Sequence, residues 1–133
     1  SDDNIDNKSF FIKKLTKKGV KIVDSPMAGR NVTTIVFCPI VSRFETDINS
    51  HIKILHHVLS RVIVVAMHHT FDKEYTLPNN RQMNNRAVIL LVDCLFHETK
   101  GFLSCTRNKN SVKMVRKEVI TSFLYHIILI HET

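Results

Sequence analysis

Glycine and proline are scarce, three of each in 133 residues. So few hinge and turn residues argue against long disordered linkers. They also leave the chain without the glycine-rich loops that let a backbone approach a phosphate closely. No G-x-G-x-x-G, no G-K-[ST] loop and no G-x-S-x-G elbow occurs, which removes the common dinucleotide, P-loop and serine-hydrolase signatures. Cysteine is sparse too: three residues, an odd number with no regular spacing. That pattern fits free thiols in a reducing compartment, not a disulfide framework. No apolar run approaches the ~20 residues of a membrane span. The opening Ser1-Asp2-Asp3-Asn4 carries no secretory signal. The expected setting is cytoplasmic, with no membrane contact.

What is present is an ordinary globular balance, 44% hydrophobic and 23% charged, in a length that suits one domain spanning 1–133. The formal charge is +7 and the pI about 9.5, which favours anionic partners. Lysine-rich surfaces also simply confer solubility. Nucleic acid is disfavoured, because no reader motif accompanies the charge.

The local patterns alternate. Lys8 to Lys18 reads as a short helix with Phe11, Ile12 and Leu15 on one face, Lys13, Lys14, Lys17 and Lys18 on the other, and Gly19 as its stop. Val20 to Val23 reads as a short edge strand. Thr33 to Cys38, Val62 to Met67 and Ala87 to Val92 are apolar and β-branched, the composition of strands buried on both faces. Pro39 is expected to end the first of these. Ser42-Arg43-Phe44-Glu45 fits a capping box that opens a helix through Phe44, Ile48, Ile52, Leu55 and Leu59. His51, His56 and His57 fall on or beside it and read as surface residues. Thr70 to Arg86 reads as a polar loop, either a lid or a plain excursion. Gly101 to Asn108 reads as a connecting turn, followed from Lys109 by a helix with Val112, Val115, Val119 and Phe123 inward. The last run, Ile127 to Ile130, is compatible with helix or strand, and periodicity does not decide between them.

Strands alternating with helices predict an α/β fold: a mainly parallel sheet of about five strands flanked by helices, Rossmann- or flavodoxin-like. In such sheets ligands bind outside the carboxyl ends of the strands. Those ends gather Ser42, Arg43 and Asp47, then His68, His69 and Asp72, then Asp93, His97 and Glu98. The helix amides after Ser42 and the Arg43 guanidinium suit a phosphate or carboxylate. The candidate ligand-binding set is therefore Ser42, Arg43, His68, His69, Asp72 and His97.

Each residue also has a plain role. Ser42 and Glu45 cap a helix, Asp47 complements its dipole, Asp72 caps a turn, and one of His68 and His69 bonds within the core. Cys38 and Cys94 suit small buried thiols. Cys94 and His97 sit three apart, but no second pair with metal-ligand spacing supports them, so neither a metal nor another cofactor is expected. If there is catalysis, Glu98 or Asp47 would be the carboxylate nucleophile or base. His68, His69 or His97 would be its acid–base partner.

The combination FCPIVSR…TDI at Phe37 to Arg43 and Thr46 to Ile48, VVAMHHTF at Val64 to Phe71, VDCLFHE at Val92 to Glu98, and Arg107-Asn108 resembles a group of small, mainly fish, intracellular proteins. Their biochemical activity is undetermined. The resemblance covers roughly Phe11 to Lys117 and implies a Rossmann-like domain. It transfers no catalytic residue, and a role in host defence is the association it brings. The family pattern begins with a strand before the first helix, and here only polar residues precede it. Ile127 to Ile130 is apolar enough to fill that central slot, as a permuted strand that would carry His131 and Glu132 to the crevice. The competing readings are a strand supplied by a partner chain and a terminal helix at a dimer interface.

The function these readings favour is a ligand-binding or protein-interaction module with an anion-friendly crevice. Its expected partners are a nucleotide or other anionic small molecule, and a protein partner or second copy. The alternatives are a hydrolase or transferase acting on a nucleotide-like N-glycoside, and a basic nucleic-acid binder.

Overall fold

The computed structural model describes residues 9, 11–16, 19, 21–22, 33–40, 61–77, 87–121 and 126–131. Their frame is one six-stranded sheet in the order β1-β6-β2-β3-β4-β5. The strands are β1 (Lys21–Ile22), β2 (Thr33–Ile40), β3 (Val62–His69), β4 (Val88–His97), β5 (Gly101–Phe102) and β6 (His126–His131). All neighbours pair parallel except β4 and β5. Helix α1 covers 11–16 and helix α2 covers Thr106–Thr121. The protein is therefore α/β with a mainly parallel sheet. The expected five strands become six, two of which are only two residues long. Among the described residues no helix is long and apolar enough to cross a membrane.

The segment 127–130 is strand. β6 lies between β1 and β2, in register from Thr33↔Ile127 to Phe37↔His131 on one side and Lys21↔His126 on the other. Both partners belong to the same chain. The helical and partner-supplied readings of this run do not hold.

Strand alternation sorts the core into two faces. Ile35, Phe37, Ile63, Val65, Met67, Val92 and Cys94 pack with Phe11 and Leu15 of α1 and Val112, Val115 and Val119 of α2. Val36, Cys38, Val62, Val64 and Ala66 form the opposite face. Phe11 stands edge-on to Phe37 at 5.5 Å and to Phe102 at 5.4 Å, so aromatic contacts tie α1 to the centre and the edge of the sheet together. Each such buried side chain contributes roughly 1.5–3 kcal/mol. Gly19 follows α1 with φ +83° and donates its amide to the Thr16 carbonyl at 3.1 Å, the left-handed stop expected of it.

Several boundaries differ from the sequence expectation. Pro39 does not end β2, which runs on to Ile40. The Thr34 amide bonds the Arg61 carbonyl on the β3 side, so alternation turns the amides of odd residues toward β6. Among the described residues the β6 register stops at Phe37, so Pro39 places its missing donor beyond that ladder. β3 continues past Met67 through His69, and β4 continues past Val92 through His97. Asp93 is thus inside a strand, not at its end. Gly101 to Asn108 is not only a turn. Lys100 bonds back to the His97 carbonyl at 3.2 Å and Gly101 takes φ +72°, a three-residue hairpin with a left-handed closing residue. α2 then starts at Thr106, before the expected Lys109.

Candidate functional site

The carboxyl end of β3 divides its two histidines. His68 is 3% exposed and its Nε2 lies 2.8 Å from Asp93 Oδ1. Asp93, in the middle of β4, is itself 5% exposed. A carboxylate so buried is tolerated because the imidazole and its proton face it. The Tyr75 ring stands 6.3 Å away. His69 points the other way and is exposed, as alternation at a strand end requires. It stacks on His97 at 4.8 Å between ring centroids, and Phe71 stacks on His97 at 3.3 Å. Lys100 Nζ lies 5.8 Å from the Phe71 ring centre. His97 is 8% exposed, and its Nδ1 meets Thr99 Oγ1 at 2.9 Å and the Thr99 amide at 3.2 Å.

The turn after β3 is locally bonded. Thr70 Oγ1 accepts from the Asp72 amide at 3.0 Å, and Asp72 Oδ1 accepts from the Glu74 amide at 2.9 Å. Asp72 is a turn cap. It holds Lys73 and Glu74 beside a cleft of about 760 Å³. The opposite wall is the start of α2, with Ser104, Cys105, Thr106, Arg107, Asn110 and Ser111, and the floor is Leu91 to Asp93. The Cys105 carbonyl accepts the Lys109 amide at 3.1 Å, which makes Cys105 the cap residue and leaves the first amides of α2 free of helical partners. That end carries partial positive charge, and its first turn contains no acidic residue.

The α2 wall is fixed to β4 by side chains. Asn108, fully buried, accepts from the Leu95 amide and donates to the Leu95 and Leu103 carbonyls, each at 2.8 Å. Ser111 Oγ donates to the Asp93 carbonyl at 2.6 Å. Cys94 lies beneath. Burial pushes its thiol up to about 12, with a Ser111 hydrogen bond acting in the opposite direction. It is an inert core residue at neutral pH.

Of the sequence candidates, Ser42, Arg43 and Asp47 lie outside the described residues. The structure brings His69, His97 and Glu98 together, with ligand atoms within 4.8 Å of one another. His68 is separated from them and paired with Asp93. Neither His68 nor Asp72 lines the cleft. The cleft residues Thr106 and Arg107 were missed in the sequence because α2 was read as starting at Lys109, and Lys73 because Thr70 to Arg86 was read as a polar loop in which only Asp72 was singled out. The polar run Ser104-Cys105-Thr106 before the apolar periodicity was the available signal for an earlier start. No family model matches the chain, and no curated protein and no solved structure matches it significantly.

Proposed function

We propose that the protein is a ligand-binding module whose cleft between the turn after β3 and the start of α2 takes an anionic small molecule of nucleotide type. The observation that carries this reading is the cleft itself. Its volume, about 760 Å³, falls in the range of roughly 300–1,000 Å³ typical of small-molecule sites. Two cations, Lys73 and Arg107, stand on opposite walls beside helix amides that have no partner within the helix. Glu74 supplies an acceptor for hydroxyl or amino groups, which suits a ligand with both a phosphate and a sugar or base.

The finer fold reading belongs to the same proposal. Counted from β6, the run β1-β6-β2-β3-β4 has the 2-1-3-4-5 order of flavodoxin-like sheets, with the chain permuted and β5 added antiparallel. We infer membership in the mainly fish family from the resemblance to its motif blocks alone. They contribute both histidine sites, the Asn108 clamp and the cleft residue Arg107.

Thermal unfolding with ADP and with inorganic phosphate tests the reading. ADP at 100 times its Kd adds about 2.7 kcal/mol of stability. Arg107→Ala, at an exposed position, removes most of that gain while leaving the fold intact. Failure of both probes to stabilise, or stabilisation unchanged in both Arg107→Ala and Lys73→Ala, refutes it. One observation favours a second reading: the Glu98 carboxylate beside His69 and His97 is the pairing an N-glycoside hydrolase needs. Release of free base from a nucleotide, abolished by Glu98→Gln, would establish that alternative.

A further inference from the structure

We infer that His69, His97 and Glu98 form a binding site for a divalent cation of the zinc type at the carboxyl ends of β3 and β4. The site shares no residue with the cleft and stands independently of the ligand proposed there. Chain spacing hides it. His69 and His97 are brought side by side by the parallel β3–β4 ladder, which runs to His69↔Phe96, and Glu98 follows His97 directly.

Their ligand atoms lie within 4.8 Å of one another. A tetrahedral shell with bonds of about 2.0–2.1 Å needs them roughly 3.4 Å apart. His69 and Glu98 are exposed, so side-chain rotation can close that difference without moving the backbone. His97 is the fixed member. The residue is 8% exposed and Phe71 covers its ring at 3.3 Å. Thr99 Oγ1, 2.9 Å from Nδ1, can accept a proton held there, which leaves the Nε2 lone pair for a metal. The Thr99 amide, 3.2 Å from the same nitrogen, favours the opposite tautomer, and the cation selects between the two. Two imidazoles and one carboxylate suit zinc over magnesium or calcium, which take oxygen ligands. Three protein ligands leave one coordination position open.

The test titrates tag-free protein with Zn²⁺ against a chromophoric chelator, and with Co²⁺ for its tetrahedral absorption. One ion per chain and a tetrahedral Co²⁺ spectrum are expected. Thr99→Val weakens Zn²⁺ binding by roughly 10–100-fold. His69→Ala and Glu98→Gln each weaken it by at least as much, and both change exposed residues, so folding is preserved. Absence of saturable binding overturns the site. So does binding that neither His69→Ala nor Glu98→Gln reduces, which would place the ion on other histidines of the chain.

Discussion

Asn108→Ala should be among the most damaging single substitutions in the chain. Among the described residues the outer flank of β4 pairs with a strand at Phe96 and His97. One residue earlier, the Leu103 amide still bonds the Leu95 carbonyl at 3.0 Å, and the Asn108 carboxamide fills the place of the return bond. Its Oδ1 accepts the Leu95 amide and its Nδ2 serves two carbonyls, all at 2.8 Å. Truncation removes three buried hydrogen bonds at about 1 kcal/mol each. It also strips the Leu95 amide of this acceptor, which costs roughly 1–2 kcal/mol more. The sum is about 4 kcal/mol, a large part of the stability of an ordinary domain. In urea unfolding, with m on the order of 1.5–2 kcal/mol/M, the midpoint drops by roughly 2 M at unchanged m. Asn108→Asp sharpens the test. It keeps the acceptor but turns a carboxylate toward two carbonyl oxygens, so at neutral pH it should destabilise at least as much as alanine. It should then recover in part as acid protonates the carboxyl and restores one donor. A midpoint loss under about 0.5 M for Asn108→Ala, or an aspartate variant as stable as the parent, would show that the clamp contributes little.

The buried His68–Asp93 pair should behave as a unit: a double-mutant cycle with His68→Ala and Asp93→Ala should return a coupling of about 0.5–3 kcal/mol, and additive single effects would refute the contact. Asp93→Asn, which keeps an acceptor for the imidazole, should cost less than Asp93→Ala in the same urea assay. For Cys94, the folded thiol is pushed up from 9.0 to about 12, so above the ordinary value the unfolded chain releases a proton that the folded chain keeps. Stability should therefore fall as pH rises from 9.0 toward about 12, by about 1.4 kcal/mol per unit, and the slope should flatten in Cys94→Ala; an unchanged slope would refute the assignment. In thiol labelling of the folded protein, the half-buried Cys105 should react well before Cys94.

The buried strands were readable because β2 and β3 consist of β-branched and apolar residues too short and too continuous for an amphipathic helix. Their carboxyl limits were not. His68, His69 and Asp93 look like loop residues in composition, yet parallel pairing carries β3 and β4 through them, and the His68–Asp93 contact offsets the burial of those two polar groups. Pro39 misled for the same reason: its effect depends on which neighbour its nitrogen faces, and that is set by where β6 ends. The slot for 127–130 was legible from topology, not from periodicity. The metal-type cluster was illegible, because His69 and His97 become neighbours only across the ladder. Asn108 had no local signature either, since its partners on β4 and at Leu103 are fixed by tertiary packing.

The two walls of the cleft are held by different forces, and this bears on how a ligand would be selected. Asn108 and Ser111 fasten the start of α2 to the backbone of β4 at Leu95 and Asp93, and Val112 and Val115 fix the same helix to the core. A ligand meets that wall as a preorganised surface, so contacts to Arg107 and the helix amides lose little entropy on binding. The turn with Lys73 and Glu74 is exposed; the Thr70 amide ties its start to the Phe96 carbonyl of β4, and beyond that point the hydrogen bonds described are local: Thr70 to Asp72, Asp72 to Glu74, and Tyr75 to the Asp72 carbonyl. Asp72 therefore acts on the site by shaping the turn, not by touching a ligand. The α2 wall would supply the common anion contact, and the turn, cheaper to reshape, would decide which anion is accepted.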